Sequence, residues 1–280
     1  MEKKDGFVSI VKGVITGIAS LIPGMSPASC ITSLSSYDKF ITGISSIFKK
    51  TKNKQETKEN KKILLLLVLP IMIGIIIGLI AGDHLVGYFL GKYRAQTMFL
   101  FIGLLVGGFI LIVKNQKTNI SKNNLLVFLI SLFLIFTLYF ILNKYTITIP
   151  KSIIPLAGGI LTALTLLVPS ISLSYIYNLL DKYDYIVSSA LSLSSFKDVL
   201  VVLTFVVVFL LSLVLIAKII FYLFKRFEGK CYAVICSLMI LSVVVVILNI
   251  GKFTISFVNI FTTILAFLWG YLLAKNIEKE

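Results

Sequence analysis

Six apolar runs, at 63–81, 97–113, 125–142, 199–221, 231–248 and 257–274, are each 17 to 23 residues long. At 1.5 Å per helical residue, about 20 residues cross a hydrocarbon core about 30 Å thick. No water-soluble fold could cover six such segments, because only 14% of the chain is charged and 58% is apolar. The fold class is therefore an all-α integral membrane protein.

The 27 basic and 12 acidic residues give a formal charge of +15. In a soluble chain this balance would point to nucleic acid. Here most lysines lie in short polar stretches between the apolar runs, where cytoplasmic retention of positive charge and anionic headgroups account for them, so no nucleic acid partner is expected. The single histidine, His84, excludes two-histidine phosphatase chemistry and His-ligated metal hydrolysis. Cys30, Cys231 and Cys236 have no metal-ligand spacing and an odd count, so they read as core residues. Neither a metal nor a cofactor is expected. No nucleophile and base stand at matched spacing, so an enzyme has the least support. Lys12 and Thr16 interrupt the first apolar stretch, which argues against a cleaved signal peptide.

Two further stretches, 8–46 and 153–192, are apolar but rich in Ser and Thr, with proline at the centre. Pro23 removes a backbone donor and biases Ile22 away from helix, and Gly24 and Pro27 place a helical restart before about Ala28. Each arm would be about 15 residues, or about 22 Å, too short to cross. A re-entrant hairpin entering and leaving on one side is expected for each. His84 and Asp83, after Gly82, are expected in a loop at the outer end of the first span. Gly74/Gly78 and Gly103/Gly107 carry the spacing of close helix packing.

The hairpins are copies. Setting Pro23 over Pro169 without gaps aligns Gly13 with Gly159, Thr16 with Thr162, Ser26 with Ser172, Tyr37 with Tyr183, Asp38 with Asp184 and Ser46 with Ser192, which with the proline are seven of nine identities in 34 positions. Downstream, YFLGKY at 88–93 matches YLFKRF at 222–227 with an offset of 134 in place of 146. The basic linker 49–62, absent from the second half, accounts for the difference. Two repeats follow, 8–142 and 153–274, each a hairpin plus three spans, and three crossings invert the second against the first. With the N-terminus cytoplasmic, that side holds 19 Lys/Arg and the other six, which puts both termini inside.

Inverted repeats with broken helices bind substrate where the breaks meet, because helix N-termini offer unpaired N–H groups to an anion. The breaks here read PGMSPAS at 23–29 and PSISLSY at 169–175. Ser26 and Ser172 either cap the restarting helices or face the ligand. Asp38 and Asp184 either sit at the interface, paired with Lys39 and Lys182, or serve a purpose that repays burial. Arg94 and Arg226 each follow the first span of a half and suit either bidentate phosphate contact or interfacial anchoring.

A proline-centred hairpin, GVITGIASLIPGMSPAS, followed by Tyr37-Asp38 and repeated as LAGGILTALTLLVPSIS with Tyr183-Asp184, resembles the PopT-type polyprenyl-phosphate transporters of bacteria over about residues 8–250. The family pattern is PGxSGG(T/S) in the first hairpin and PGxSGS in the second. Pro23, Gly24, Ser26, Ser29, Pro169, Ser172 and Ser174 match it, while Pro27, Ala28, Ser170 and Leu173 replace glycines, as in a divergent member. The resemblance implies a multi-pass protein of the bacterial cytoplasmic membrane that returns undecaprenyl phosphate, the lipid carrier of cell-wall synthesis, from the outer to the inner leaflet. The implied partner is that lipid, held by Pro23, Gly24, Ser26, Ser29, Pro169, Ser170, Ser172, Ser174, Arg94 and Arg226. Carrying an anion inward opposes an inside-negative potential by about 2.3 kcal/mol per charge per 100 mV, so proton or Na+ coupling is expected, with Tyr37, Asp38, Tyr183 and Asp184 as relay or gate. A small-anion carrier and a non-transporting scaffold remain the alternatives.

Overall fold

A computed structural model describes residues 3–47, 54–115, 121–142, 149–172, 184–193, 195–253 and 255–277. The helices are α1 Lys3–Ser20, α2 Pro27–Ser33, α3 Tyr37–Ser45, α4 Lys54–Ile63, α5 Leu69–Lys92, α6 Arg94–Asn115, α7 Lys122–Leu142, α8 Ile154–Leu167, α9 Asp184–Ser192, α10 Phe196–Leu248 and α11 Phe257–Ile277. The architecture is all-helical among the described residues. Five helices are long and apolar enough to cross a membrane: Gln55–Lys92, Arg94–Lys114, Lys122–Ile141, Phe196–Leu248 and Phe257–Asn276.

The first of these is longer than its apolar run. A π-helical turn at Leu64–Val68 joins α4 to α5 without a break, so the basic segment before Ile63 continues the membrane helix as a polar extension. Helix also runs on through Asp83 and His84, expected in a loop, because nothing between Gly82 and Lys92 removes a backbone donor; the chain breaks only at Tyr93 (φ −132, ψ 46).

The expected turn between the runs 199–221 and 231–248 is likewise reduced to one residue. Phe227 (φ −138, ψ 44) is the sole non-helical residue within the 53 residues of α10. A straight helix of that length would reach about 80 Å, far beyond a bilayer. The break folds it back: the Phe224 and Tyr232 rings lie 5.3 Å apart, and Ile220 and Leu238, about 27 Å apart on a straight helix, line one cavity. Tyr93 and Phe227 are the residues that the 134-residue offset pairs.

The first hairpin lies along α5. Gly13 and Gly17 would place a Cβ 2.3 Å from the carbonyl oxygens of Ile71 and Ile75, and Gly74 and Gly78 are equally close to α1, so only glycine lets these two backbones touch. Gly6 near Leu66, and Gly43 near Ile63 and Val68, put the beginning of α1 and the end of α3 at the same end of α5, while Gly82 meets Ile18 and Leu21 near the tip. The returning arm is not one helix. It turns at Ser35, which adopts φ +53, and the Ser36 amide donates to the Ile31 carbonyl.

The core surrounds this hairpin. Ala28, Ile31, Tyr37, Phe40 and Ile44 pack against Leu67–Ile75, Ala163, Leu167, Leu213, Ile235 and Met239. On the other side Ala19, Ile22, Met25 and Leu34 pack against Met98, Leu104, Leu105 and Val246. Phe133, Leu191, Ile219, Ile255 and Trp269 point outward, as an apolar solvent requires.

Candidate functional site

Both proline breaks turn through positive φ one residue after the proline, at Gly24 (φ +90) and Ser170 (φ +74). These are equivalent residues at the 146-residue offset. Glycine reaches that conformation freely; serine does so at a cost. α2 then restarts at Pro27, whose missing N–H is no loss at N1, with Ser26 as N-cap accepting from the Ser29 amide at 3.0 Å.

The two tips meet. The Ser170 amide donates to Ser26 Oγ at 3.0 Å and to Ser29 Oγ at 2.9 Å. Ser26 Oγ and Ser29 Oγ are 2.8 Å apart, and Ser29 Oγ is 2.9 Å from Ser242 Oγ on α10. Ser26, Ser29 and Ser242 are fully buried. The amides of Ser29 and Ser170, from two hairpins, thus converge on a single oxygen, that of Ser26. This is the donor pattern of an oxyanion hole, with a neutral hydroxyl occupying the acceptor position. Ser170 Oγ is buried beside it and has no hydrogen-bond partner among the described residues.

Ser172 is buried in the second tip, and Pro169 with it. Ser174, Leu173, Lys182 and Tyr183 lie outside the described residues, as does the side chain of Asp184, whose backbone opens α9.

Tyr37 and Asp38 tie the first hairpin to the second half. Tyr37 donates its hydroxyl to the Leu167 carbonyl at 2.6 Å, satisfying one of the acceptors left open at the end of α8. Asp38, outside the six apolar runs, accepts a hydrogen bond from the hydroxyl of Tyr232, which lies just beyond the Phe227 break. Burial pushes the Asp38 carboxyl above the usual carboxylate range, and the Tyr232 bond opposes that shift. Two cavities flank Asp38. One, of about 120 Å³, is lined by Thr32, Ser35, Tyr37 and Tyr232. The other, of about 280 Å³, includes Thr42, Lys225, Glu228 and Tyr232.

Neither arginine joins the serine cluster. Arg94 Nε donates to the Asn249 carbonyl at 2.9 Å, about 10 Å along α10 from Ser242. Arg226 donates to the Tyr222 hydroxyl at 2.9 Å and covers the Phe227 ring. Lys12, counted with the N-terminal charges, reaches into the hairpin and donates to Ser36 Oγ at 3.1 Å.

A family described as VCA0040-like, undecaprenyl phosphate translocase-like, matches residues 16–268. The chain belongs to this family. The match spans both tips and every described contact between them. No curated protein and no solved structure matches the chain.

Sequence reasoning missed Ser242 and Tyr232. Ser242, a hydroxyl inside the apolar run LSVVVV, could have been flagged as a polar residue buried at membrane depth; nothing in the sequence marks Tyr232.

Proposed function

We propose that this protein carries a polyprenyl phosphate, undecaprenyl phosphate in the family's own terms, from the outer to the inner leaflet of the bacterial cytoplasmic membrane by alternating access of two inverted repeats, with both termini cytoplasmic. The observation that carries the reading is the convergence of the Ser29 and Ser170 amides on Ser26 Oγ. A phosphate oxygen arriving between the tips would replace that hydroxyl as acceptor, gaining two N–H donors in a buried site. Separation of the tips and entry of the anion are then one event.

The packing supports the inverted-repeat part. Gly13 touches Ile71 as Gly159 touches Phe205, the pairing expected from offsets of 146 and 134. Each half's last span packs on the other half's second span: α11 on α6, through Gly103 and Phe267, and α7 on the second arm of α10, where Ser131 Oγ and Ser237 Oγ are 2.7 Å apart. One end of α5 receives both ends of the first hairpin, which supports a re-entrant path. The site holds hydroxyls and amides, and the reading is one of transport rather than catalysis.

Proton coupling is assigned to Asp38. A phosphate leaving the tips past Tyr37 meets a carboxylate that must be neutral to let it pass, so one proton accompanies each lipid. The first-half position equivalent to Tyr232 is Met98, which is fully buried, so the Asp38–Tyr232 pair has no counterpart there.

The test is flipping of a fluorescent polyprenyl phosphate in proteoliposomes. Ser26→Leu and Ser172→Leu are expected to abolish flipping while the protein stays folded and inserted. Full activity in both variants removes the tips from the pathway. A small-anion carrier would transport inorganic phosphate in the same vesicles.

A further inference from the structure

The bend at Phe227 encloses a groove of about 350 Å³. Leu223 and Phe224 form one wall, Val234 and Leu238 the other, and Pro169 closes the far end at the second tip. Among the described residues, Lys230 is its only charged lining residue. The ammonium lies 5.2 Å from the centre of the Phe227 ring and makes no ion pair among the described residues. The carboxylates of Asp38 and Glu228 face the separate cavity that they share with Lys225.

We propose that this groove holds the hydrocarbon chain of a single-chain anionic lipid next to its headgroup, with the Lys230 ammonium pairing with the phosphate at the mouth after it leaves the serine cluster. The inference rests on the translocase reading and adds an exit station to it.

Charge complementarity selects the occupant. An apolar slot with one cation at its rim and no carboxylate among its described lining residues matches a molecule with one anionic end and one chain; a neutral lipid would leave the cation unused. The slot also leads to Pro169, next to the amide that Ser170 offers to Ser26, so the station is continuous with the proposed site. The first half differs. By the 134-residue offset, Ile220, Lys230 and Leu238 correspond to Val86, Gln96 and Leu104. Val86 and Leu104 are buried, and Gln96 donates to Thr262 Oγ1 at 3.2 Å. The groove is therefore formed in one half, on the side of the N-terminus, as alternating access requires of a single state.

The full chain in nanodiscs supplies its own reporter. Cys231 lines the groove and is half-buried, whereas Cys30 and Cys236 are buried. Polyprenyl phosphate at about four times its Kd is expected to slow maleimide labelling of Cys231 about fivefold, the fraction of sites left empty. Lys230→Gln is expected to raise the concentration needed by about tenfold, as for loss of one charge-assisted hydrogen bond, and to leave protection by neutral polyprenol unchanged. Labelling that polyprenyl phosphate does not slow, in protein that flips this lipid, overturns the groove and leaves the translocase standing. Protection by polyprenyl phosphate that Lys230→Gln leaves unchanged overturns the role of Lys230. A wild-type chain that flips no polyprenyl phosphate overturns both readings.

Discussion

Ser170 stands where a helix-breaking tip wants glycine, and replacing it with glycine is expected to stabilise the protein. The residue holds φ +74, which costs an L-residue about 1–2 kcal/mol. Its Oγ is buried with no partner among the described residues, a penalty of about 1–3 kcal/mol. Ser170→Gly removes both, and gives back about 0.4–1 kcal/mol through the greater freedom of glycine in the unfolded chain. The net expectation is a gain of about 2 kcal/mol. For a chain of this size that is a rise in Tm of about 4–8 °C, measured by thermal unfolding in detergent with an equilibrium denaturant titration as a check. Ser170→Ala loses the orphaned hydroxyl but keeps the strain, so it should fall between wild type and Ser170→Gly; Ser170→Val should fall below wild type, because β-branching worsens the left-handed conformation. A Ser170→Gly variant no more stable than wild type would refute the strained backbone, and Ser170→Ala below wild type would refute the unpartnered hydroxyl. The same variants test function. If the hydroxyl waits for a phosphate oxygen, Ser170→Gly raises the Tm of the empty protein and shrinks the further rise that polyprenyl phosphate produces.

Ser26→Ala removes the acceptor of the buried Ser29 amide, while the Ser170 amide keeps Ser29 Oγ, and should lower stability by about 1–3 kcal/mol, the cost of one buried group left short, read in the same titration. Gly17→Val drives a side chain into the α5 backbone and should leave little monodisperse protein after solubilisation, whereas Gly87→Ala, where nothing lies within 4 Å, should be harmless. Flipping should increase as pH falls, with an apparent pKa above the ordinary carboxylate range, because burial favours the neutral form of Asp38; the groups facing it are Tyr232, Lys225 and Glu228. Asp38→Asn should flatten that profile, and a profile unchanged in Asp38→Asn would move the coupling elsewhere. Arg94→Met should cost under about 1 kcal/mol and leave flipping intact, since its guanidinium is engaged on Asn249; lost transport in folded Arg94→Met protein would put Arg94 in the pathway.

The all-helical class was legible because apolar run length responds to one variable, the thickness of hydrocarbon. The restart at Pro27 and the hydroxyl cap at Ser26 were legible too, since proline and serine act on their immediate backbone neighbours. Continuity was not. The helix runs through Asp83-His84 and through Lys225 and Arg226 because polar residues near a membrane surface can remain helical, and only backbone geometry at Tyr93 and Phe227 ends the spans. Contacts between halves were the least accessible. Ser242 lies 213 residues from its partner Ser29, and Tyr232 lies 194 from Asp38, separations over which no local pattern carries information.

Four of the family's tip glycines are replaced here, and the geometry explains how one replacement can be tolerated. At Ser170 the lost glycine leaves a strained backbone, but that backbone presents its amide to two serine oxygens of the other tip. Pro27 at the first position of α2 has no such cost, because its fixed φ already suits a helix start. Under the proposed alternating access, strain at one tip, held by hydrogen bonds from the other, would be energy released when the tips separate. A phosphate that takes over the Ser29 and Ser170 amides would therefore act on a junction already biased towards opening, and the Ser170 side chain that destabilises the empty protein would contribute its hydroxyl to the bound one. On this account divergence from glycine shifts the balance between closed and loaded states and leaves the site in place.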